Sequence, residues 1–310
     1  LGRILGEVGR AAIHLLAASA LAFFIVRAMP GDPAALLLLA QGQAADPATV
    51  AALHAQWGLD RSLPGQYAAW LGDFLAGDWR TSFRTGRPIF EEFAARLPVT
   101  LTVGFGAFAL ALGIAGPLAE AAAARPHGWQ DRVLDAATLG AQAVPGFWLG
   151  CLLIWVFAVE LRAIALFEAG PQRYVLPIAV VALAVLGPLA QVYRAGLREV
   201  ARSDYVRAAL ARGAPRARVV AQQGRRYAAL GLLSTAAAEA GTVVGGTAVV
   251  ETVFGLPGIG QFVVDSIAVR DFFVLQAFFM VAVAWMLLAS LAARSARRLV
   301  APGGFCDVAP

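Results

Sequence analysis

Lysine is missing from this chain of 310 residues; all 25 of its basic residues are arginine. That excludes a phosphate-binding loop of the G-x-x-x-x-G-K-[ST] type, in which a lysine supplies the point charge on the phosphates. It excludes Schiff-base chemistry and lysine-dependent phosphoryl transfer on the same ground. Cysteine is nearly absent: Cys151 stands in an apolar run and Cys306 lies four residues from the end, so no disulfide framework is expected. The three histidines, His14, His54 and His127, have no second ligand at helical spacing, and no metal site is expected. The H-E-x-x-H, C-x-x-C, G-x-S-x-G and G-x-G-x-x-G patterns are all absent, and no enzyme constellation replaces them.

Charge is scarce as well. Only 15% of residues are charged and 59% are apolar, whereas soluble domains carry about 25% charged residues. The length would suit two soluble domains, but a chain this apolar needs lipid as part of its solvent. Six apolar stretches match the ~20 residues that cross a bilayer core. They run from Ala11 to about Met29, Leu97 to Ala119, Ala136 to Val159, Tyr174 to Tyr193, Tyr227 to Val250 and Phe272 to Ala293. Their internal glycines and prolines are tolerated where neighbouring helices satisfy the backbone. Gly241, Gly245 and Gly246 suit close helix approach. The first stretch also offers a small-x-small cleavage pattern at Ala18-Ser19-Ala20. Its apolar run continues through Phe23, Phe24 and Ile25, which favours a retained span.

Arginine placement orients the spans. With the N-terminus inside, the inner pieces hold 16 arginines against seven acids and the outer pieces nine against twelve. The positive-inside rule then places both termini in the cytoplasm. The net charge of +5 follows from topology. A nucleic-acid role for the Arg-rich segment 194–226 is disfavoured by its apolar flanks and its lack of interleaved aromatics. The expected organisation is a span at 1–29, an external helical region at 30–96, a core at 97–300 and a tail at 301–310.

Two connections exceed a turn. In the external region, Asp46-Pro47 opens a helix to about Trp57. Pro64 to Leu75 places Tyr67, Trp70, Leu71 and Phe74 on one side, and a short helix is expected over Ile89 to Arg96. This packed external layer can serve as cover or as a docking surface for a soluble partner. On the inner side, Asp204 is an N-cap candidate for a helix from Tyr205 to Arg212, with Gly213 closing it and a second helix resuming near Arg216. The start of that helix, Tyr205, Val206, Ala208 and Ala209, suits insertion into a partner's groove. Charge alone favours the other reading, a solvated basic helix facing anionic lipid.

The segment Asp204-Tyr-Val-Arg-Ala-Ala-Leu-Ala-Arg-Gly213 resembles the coupling-loop signature of ABC importer permeases of the dipeptide/oligopeptide/nickel group. In order along the chain it is joined by Pro30-Gly-Asp-Pro33, Gly58-Leu-Asp-Arg61 with Gln66-Tyr67 and Gly77-Asp78, Gly245-Gly246 with Glu251-Thr-Val-Phe254 and Pro257-Gly-Ile-Gly260, and Arg270-Asp271. The chain is similar to the first-named permease of the pair in such transporters. The resemblance implies an all-α, polytopic, type I importer-like fold in a bacterial inner membrane. It further implies a paralogous permease, two cytoplasmic ATPase subunits that bind ATP and Mg, and an external solute-binding protein. Asp204, Tyr205, Val206, Arg207, Ala208, Ala209, Arg212 and Gly213 would carry the coupling helix. Tyr227, Gly231 and Leu210 depart from the group's pattern, which bears on the ATPase contact and the bend before the fifth span.

Glu239 is the one acid in mid-span, where a charged carboxylate costs roughly 2.5–3.5 kcal/mol on insertion scales. It either lines the translocation path and favours cationic cargo, or sits protonated against a neighbouring helix. Glu251, Asp265, Arg270 and Asp271 gather near the outer ends of the last two spans, as ion pairs holding that loop or as contacts for the binding protein. The expected function is a permease subunit importing small peptides or a nickel or metal-chelate cargo, with no covalent chemistry of its own. The competing class is a stand-alone secondary transporter or channel, which an inverted repeat with several mid-membrane charges would favour; neither is present. An intramembrane enzyme would need a nucleophile–base pair or a metal motif, and none is found.

Overall fold

The computed structural model describes residues 2–28, 30–165, 170–213 and 224–300. Every regular element among them is helical, apart from one isolated bridge between Thr81 and Pro88. The helices are α1 (Gly2–Arg27), α2 (Pro33–Ala40), α3 (Pro47–Trp57), α4 (Leu63–Leu75), α5 (Ile89–Ala124), α6 (Trp129–Ala143) and α7 (Gly146–Leu153). After a π-helical turn (Ile154–Glu160) and a 3-10 turn (Pro171–Tyr174) come α8 (Val175–Arg202), α9 (Asp204–Ala211), α10 (Arg225–Gly246), α11 (Ala248–Val253), α12 (Ile259–Ala268) and α13 (Phe272–Val300).

All six expected stretches are helical over most of their length. By length and composition, three helices among the described residues can cross a membrane: Ile89–Ala124, Pro171–Arg202 and Phe272–Ala296. A fourth is added if the pair Trp129–Ala143 and Gly146–Glu160 counts as one span. In α1, Ala12–Arg27 is a shorter apolar helix. Apolar side chains such as Leu112, Ile114, Met286 and Leu288 are exposed on these helices, as a lipid solvent allows.

Two expectations about the spans are corrected. The third is not one straight helix: its halves meet at 98°. Pro145 is the reason. A residue before proline is pushed out of the helical region, and Val144 lies at φ −96°, ψ 120°. Conversely, the short helix expected over Ile89 to Arg96 and the second span are one helix of 36 residues. Pro98 removes one backbone donor without ending it, as membrane helices tolerate.

The chain divides into two compact units, the described residues of 1–100 with 255–287 and those of 101–254 with 288–310. In the first, α3 begins on Asp46, whose carboxylate accepts from the Thr49 N–H at 3.2 Å, and ends on Gly58 in the left-handed region. Along α4, Trp70 is buried against Phe23 and Met280, with Tyr67, Leu71 and Phe74 packed beside it, so the expected face is the observed one. Trp57 stacks on Phe83 with centroids 4.6 Å apart, and Phe74 on Trp79 at 4.8 Å. The 30–96 region is thus an aromatic-rich packed body over a core of Val26, Ile89, Phe93, Phe262 and Phe272.

In the second unit α8 is the hub, packed by α6, α7 and α10. Gly196 and Gly187 permit this packing, and Gly245 and Gly246 do not take part in it. A β-carbon on Gly196 would lie 2.9 Å from the Ala228 backbone, and one on Gly187 would lie 2.8 Å from Thr138. At Gly245 and Gly246 it would meet nothing within 4 Å. Backbone proximity is set by which helix face turns inward, so a glycine pair alone does not locate it.

Candidate functional site: coupling helix and membrane cleft

Helix α9 is built from its own short sequence. Ser203, not Asp204, is the N-cap: its Oγ accepts from the Val206 N–H at 3.4 Å and donates to the Val200 carbonyl at 2.8 Å. Asp204 therefore occupies the first helical turn, where a negative charge suits the helix dipole, and it pairs with Arg207. A hydroxyl one residue upstream competes with the carboxylate for the cap, and here the hydroxyl takes it. Arg212 ends the helix, and Gly213 at φ 84° turns the chain away in a conformation that favours glycine.

The expected apolar knob is corrected in detail. Val206 is fully buried and Ala209 nearly so, three positions apart on one face. Asp204, Arg207, Ala208, Arg212 and Gly213 are exposed. The placement of the Tyr205 side chain, and the helix expected from Arg216, lie outside the described residues.

Beside α9, the C-terminal end of α8 is tied down by charge. Arg194 pairs with Asp131 and, at 2.8 Å, with Asp135; Arg198 reaches Asp131 at 2.7 Å and donates to the Ala122 carbonyl at 3.1 Å. Arg225 at the start of α10 grips Glu120 through two bonds of 2.8 and 2.7 Å. Tyr193 also donates to Glu120, at 3.4 Å. These ties were not expected, although the signal existed. Asp131/Asp135 and Arg194/Arg198 are each spaced by four, so each pair shares a helix face. What sequence cannot supply is that the two faces meet. Tyr227, one of the departures from the family pattern, donates to Glu199 at 3.0 Å.

Glu239 lies on α10 and is partly buried. It borders a cleft of about 390 Å³ whose wall includes Phe147, Val181, Val185, Gly246 and Val250. Glu239 is the only charged residue in this lining.

Glu251, Asp265, Arg270 and Asp271 do not act as one cluster. Glu251 belongs to the second unit, is fully buried and accepts from the Thr247 hydroxyl at 2.9 Å. The other three belong to the first unit and hold its loops. Asp265 pairs with Arg84 at 3.3 Å, and Arg270 donates to the Pro30 carbonyl. Asp271 is fully buried, accepts from Ser82 Oγ at 2.7 Å and caps α13 through the Val274 N–H at 3.4 Å.

The Pro30-Gly-Asp-Pro33 motif also has a local explanation. Asp32 caps α2 by accepting from the Ala34 N–H at 2.9 Å, with Pro33 at the first helical position. His54 Nε2 stands 2.8 Å from its Oδ1. Burial raises the Asp32 carboxyl, but the His54 hydrogen bond, the Ala34 and Ala35 N–H groups and the His54 charge outweigh it and leave it below the ordinary aspartate value.

Residues 97–303 match the family described as "Binding-protein-dependent transport system inner membrane component". Residues 3–104 match "Binding-prot-dependent transport system membrane comp, N-term". Among curated relatives, the chain is 36% identical over 266 residues to the glutathione transport system permease protein GsiC of Pectobacterium atrosepticum, covering 85% of each chain. It is 35% identical over 270 residues to GsiC of Salmonella choleraesuis and 35% over 266 residues to GsiC of Escherichia coli, again at 85% of each chain. With its helical, multi-pass architecture, the chain belongs to the binding-protein-dependent transport system inner membrane component family and is an ABC importer permease of the peptide/oligopeptide type.

Proposed function

We propose that this permease carries small peptides or peptide-like solutes, with nickel or a metal chelate as the other cargo class of its group. Glutathione is named for the curated relatives, which favours a short peptide bearing both amino and carboxylate groups. The chain forms half of the translocation pathway beside a paralogous permease, with both termini in the cytoplasm. ATP and Mg are held by two partner ATPases, consistent with a sequence that has no lysine for a P-loop. An external solute-binding protein delivers the cargo to the 30–96 region, which Asp265, Arg270 and Asp271 brace within the same unit. Because they are engaged internally, these three shape that region more than they contact the protein, and Glu251 holds its own helix through Thr247.

The observation that carries the coupling role is the split character of α9. Val206 and Ala209 anchor it in its own unit, while Asp204, Arg207, Ala208 and Arg212 stand exposed. That leaves a short helix able to enter a partner's groove and pass a push into α8 across the single residue Ser203. Glu239, as the lone charge of its cleft, lines the path and favours the cationic end of the cargo.

The test is reconstitution of the complete transporter. Binding-protein-stimulated ATP hydrolysis and uptake should require this chain. Reversing the exposed charge with Arg207→Glu and filling the face with Ala208→Trp should abolish uptake while the subunits still co-purify. Transport by the purified single chain, without ATPases, would overturn the reading in favour of a stand-alone carrier.

A further inference from the structure

The first unit contains a second, unassigned cavity of about 200 Å³, bounded by the end of α1, the end of α3, one face of α4 and the start of α13. Three guanidinium groups line it, from Arg27, Arg61 and Arg80, against one carboxylate, Asp73. Arg80 and Asp73 pair at 2.8 Å and so neutralise one another. Among the described residues, Arg27 and Arg61 have no carboxylate within ion-pair distance, leaving a surplus of two positive charges around a small cavity. Arg27 Nε is buried with no hydrogen-bond partner among the described residues. Gln66, also in the lining, spends its Nε2 on the carbonyls of Leu59 and Arg61 at 2.9 and 2.8 Å. Its Oε1 is buried and has no donor. A buried donor without an acceptor and a buried acceptor without a donor each cost free energy unless something fills the site. Planar guanidiniums match tetrahedral oxyanions with paired N–H bonds.

The position narrows the ligand. Arg27 is the last residue of α1, and Phe273 is the second of α13. Both helices are read as membrane spans, so the cavity lies at the level where a span leaves the hydrocarbon and lipid phosphates begin. Trp57 and Trp70 are also in the lining, and tryptophan is the residue type enriched at that level. We propose that this cavity binds the phosphate of an anionic phospholipid, held by Arg27 and Arg61, with Gln66 Oε1 accepting from a headgroup hydroxyl. The inference rests on α1 and α13 crossing the membrane and is independent of cargo and of the α9 coupling role.

The test uses the assembled transporter, delipidated in detergent and supplied with phosphatidylglycerol, with phosphatidylcholine or with inorganic phosphate; bound lipid per complex is read by native mass spectrometry. Phosphatidylglycerol should be retained in preference to phosphatidylcholine. Arg61→Gln, at an exposed loop position, should weaken retention about fivefold, the scale of one basic residue at an anionic membrane surface. Arg27→Gln should do the same, and Arg61→Lys, which keeps the charge but not the paired N–H geometry, should fall between wild type and Arg61→Gln. Inorganic phosphate should displace the lipid only weakly. If phosphate alone binds, the lipid source is wrong. Equal retention of phosphatidylglycerol by wild type and Arg61→Gln would overturn the site. So would an Arg61→Gln complex that keeps its lipid but no longer docks the binding protein, since the arginines would then belong to that partner. Should Arg27→Gln fail to assemble, Arg61→Gln alone decides.

Discussion

Ser82 Oγ donates a 2.7 Å hydrogen bond to Asp271 Oδ2, joining residues 189 positions apart in a site where both side chains are buried. The same carboxylate oxygen receives the Arg84 N–H at 3.3 Å, and the other oxygen caps α13. One aspartate therefore fixes both the 80–89 loop and the start of the last long helix. Ser82→Ala strips one donor from a buried carboxylate and should cost about 1–3 kcal/mol. Thermal melting of the detergent-solubilised protein should show this loss. In a double-mutant cycle with Asp271→Asn the two losses should be less than additive.

At Gly196, α8 lies close against α10, with Ala228 backbone where a side chain would go. Gly196→Val should force the helices apart and destabilise by about 1–3 kcal/mol, as overpacking does. The same change at Gly245, where a β-carbon meets nothing within 4 Å, should leave the melting temperature nearly unchanged. Equal effects at both glycines would contradict this packing.

The depressed carboxyl of Asp32 sets a pH dependence. Its folded-state value lies below the ordinary 3.8, so its contribution is complete above that value and is lost as the pH falls through the folded-state one. Asp32→Asn should lower the melting temperature at neutral pH. The gap from wild type should then close in strong acid. A gap that stays constant across the acid range would assign the effect to the cap geometry alone.

Glu239→Gln keeps the size of the side chain and removes any negative charge from the cleft. Uptake of peptides with a free amino terminus should fall, and uptake of amino-blocked analogues should change less. Unchanged transport of both classes would remove Glu239 from the path and leave it as a neutral partner for a neighbouring helix.

Much of this protein was legible as sequence because its signals are local. Lipid-length apolar runs declare helices, since a bilayer leaves the backbone no other partner. Asp46-Pro47 and Gly58 declare the ends of α3, because a cap and a left-handed turn involve only adjacent residues. The family motifs are short and keep their order, so they too can be found without coordinates. Even here local competition decided details: Ser203 took the cap expected of Asp204.

The tertiary structure decided what depends on faces meeting. Apolarity marked Val206 and Ala209 as contact residues, but the fold turns them inward and leaves Arg207 and Ala208 outside. Glu251, Asp265, Arg270 and Asp271 are neighbours in sequence, yet each bonds elsewhere, because a charge near a membrane surface takes the partner its backbone points toward. The Gly196 approach and the arginine-lined cavity at the end of α1 follow the same rule. Local propensity determines that helices form and where they stop. Packing determines which side chains are left to work.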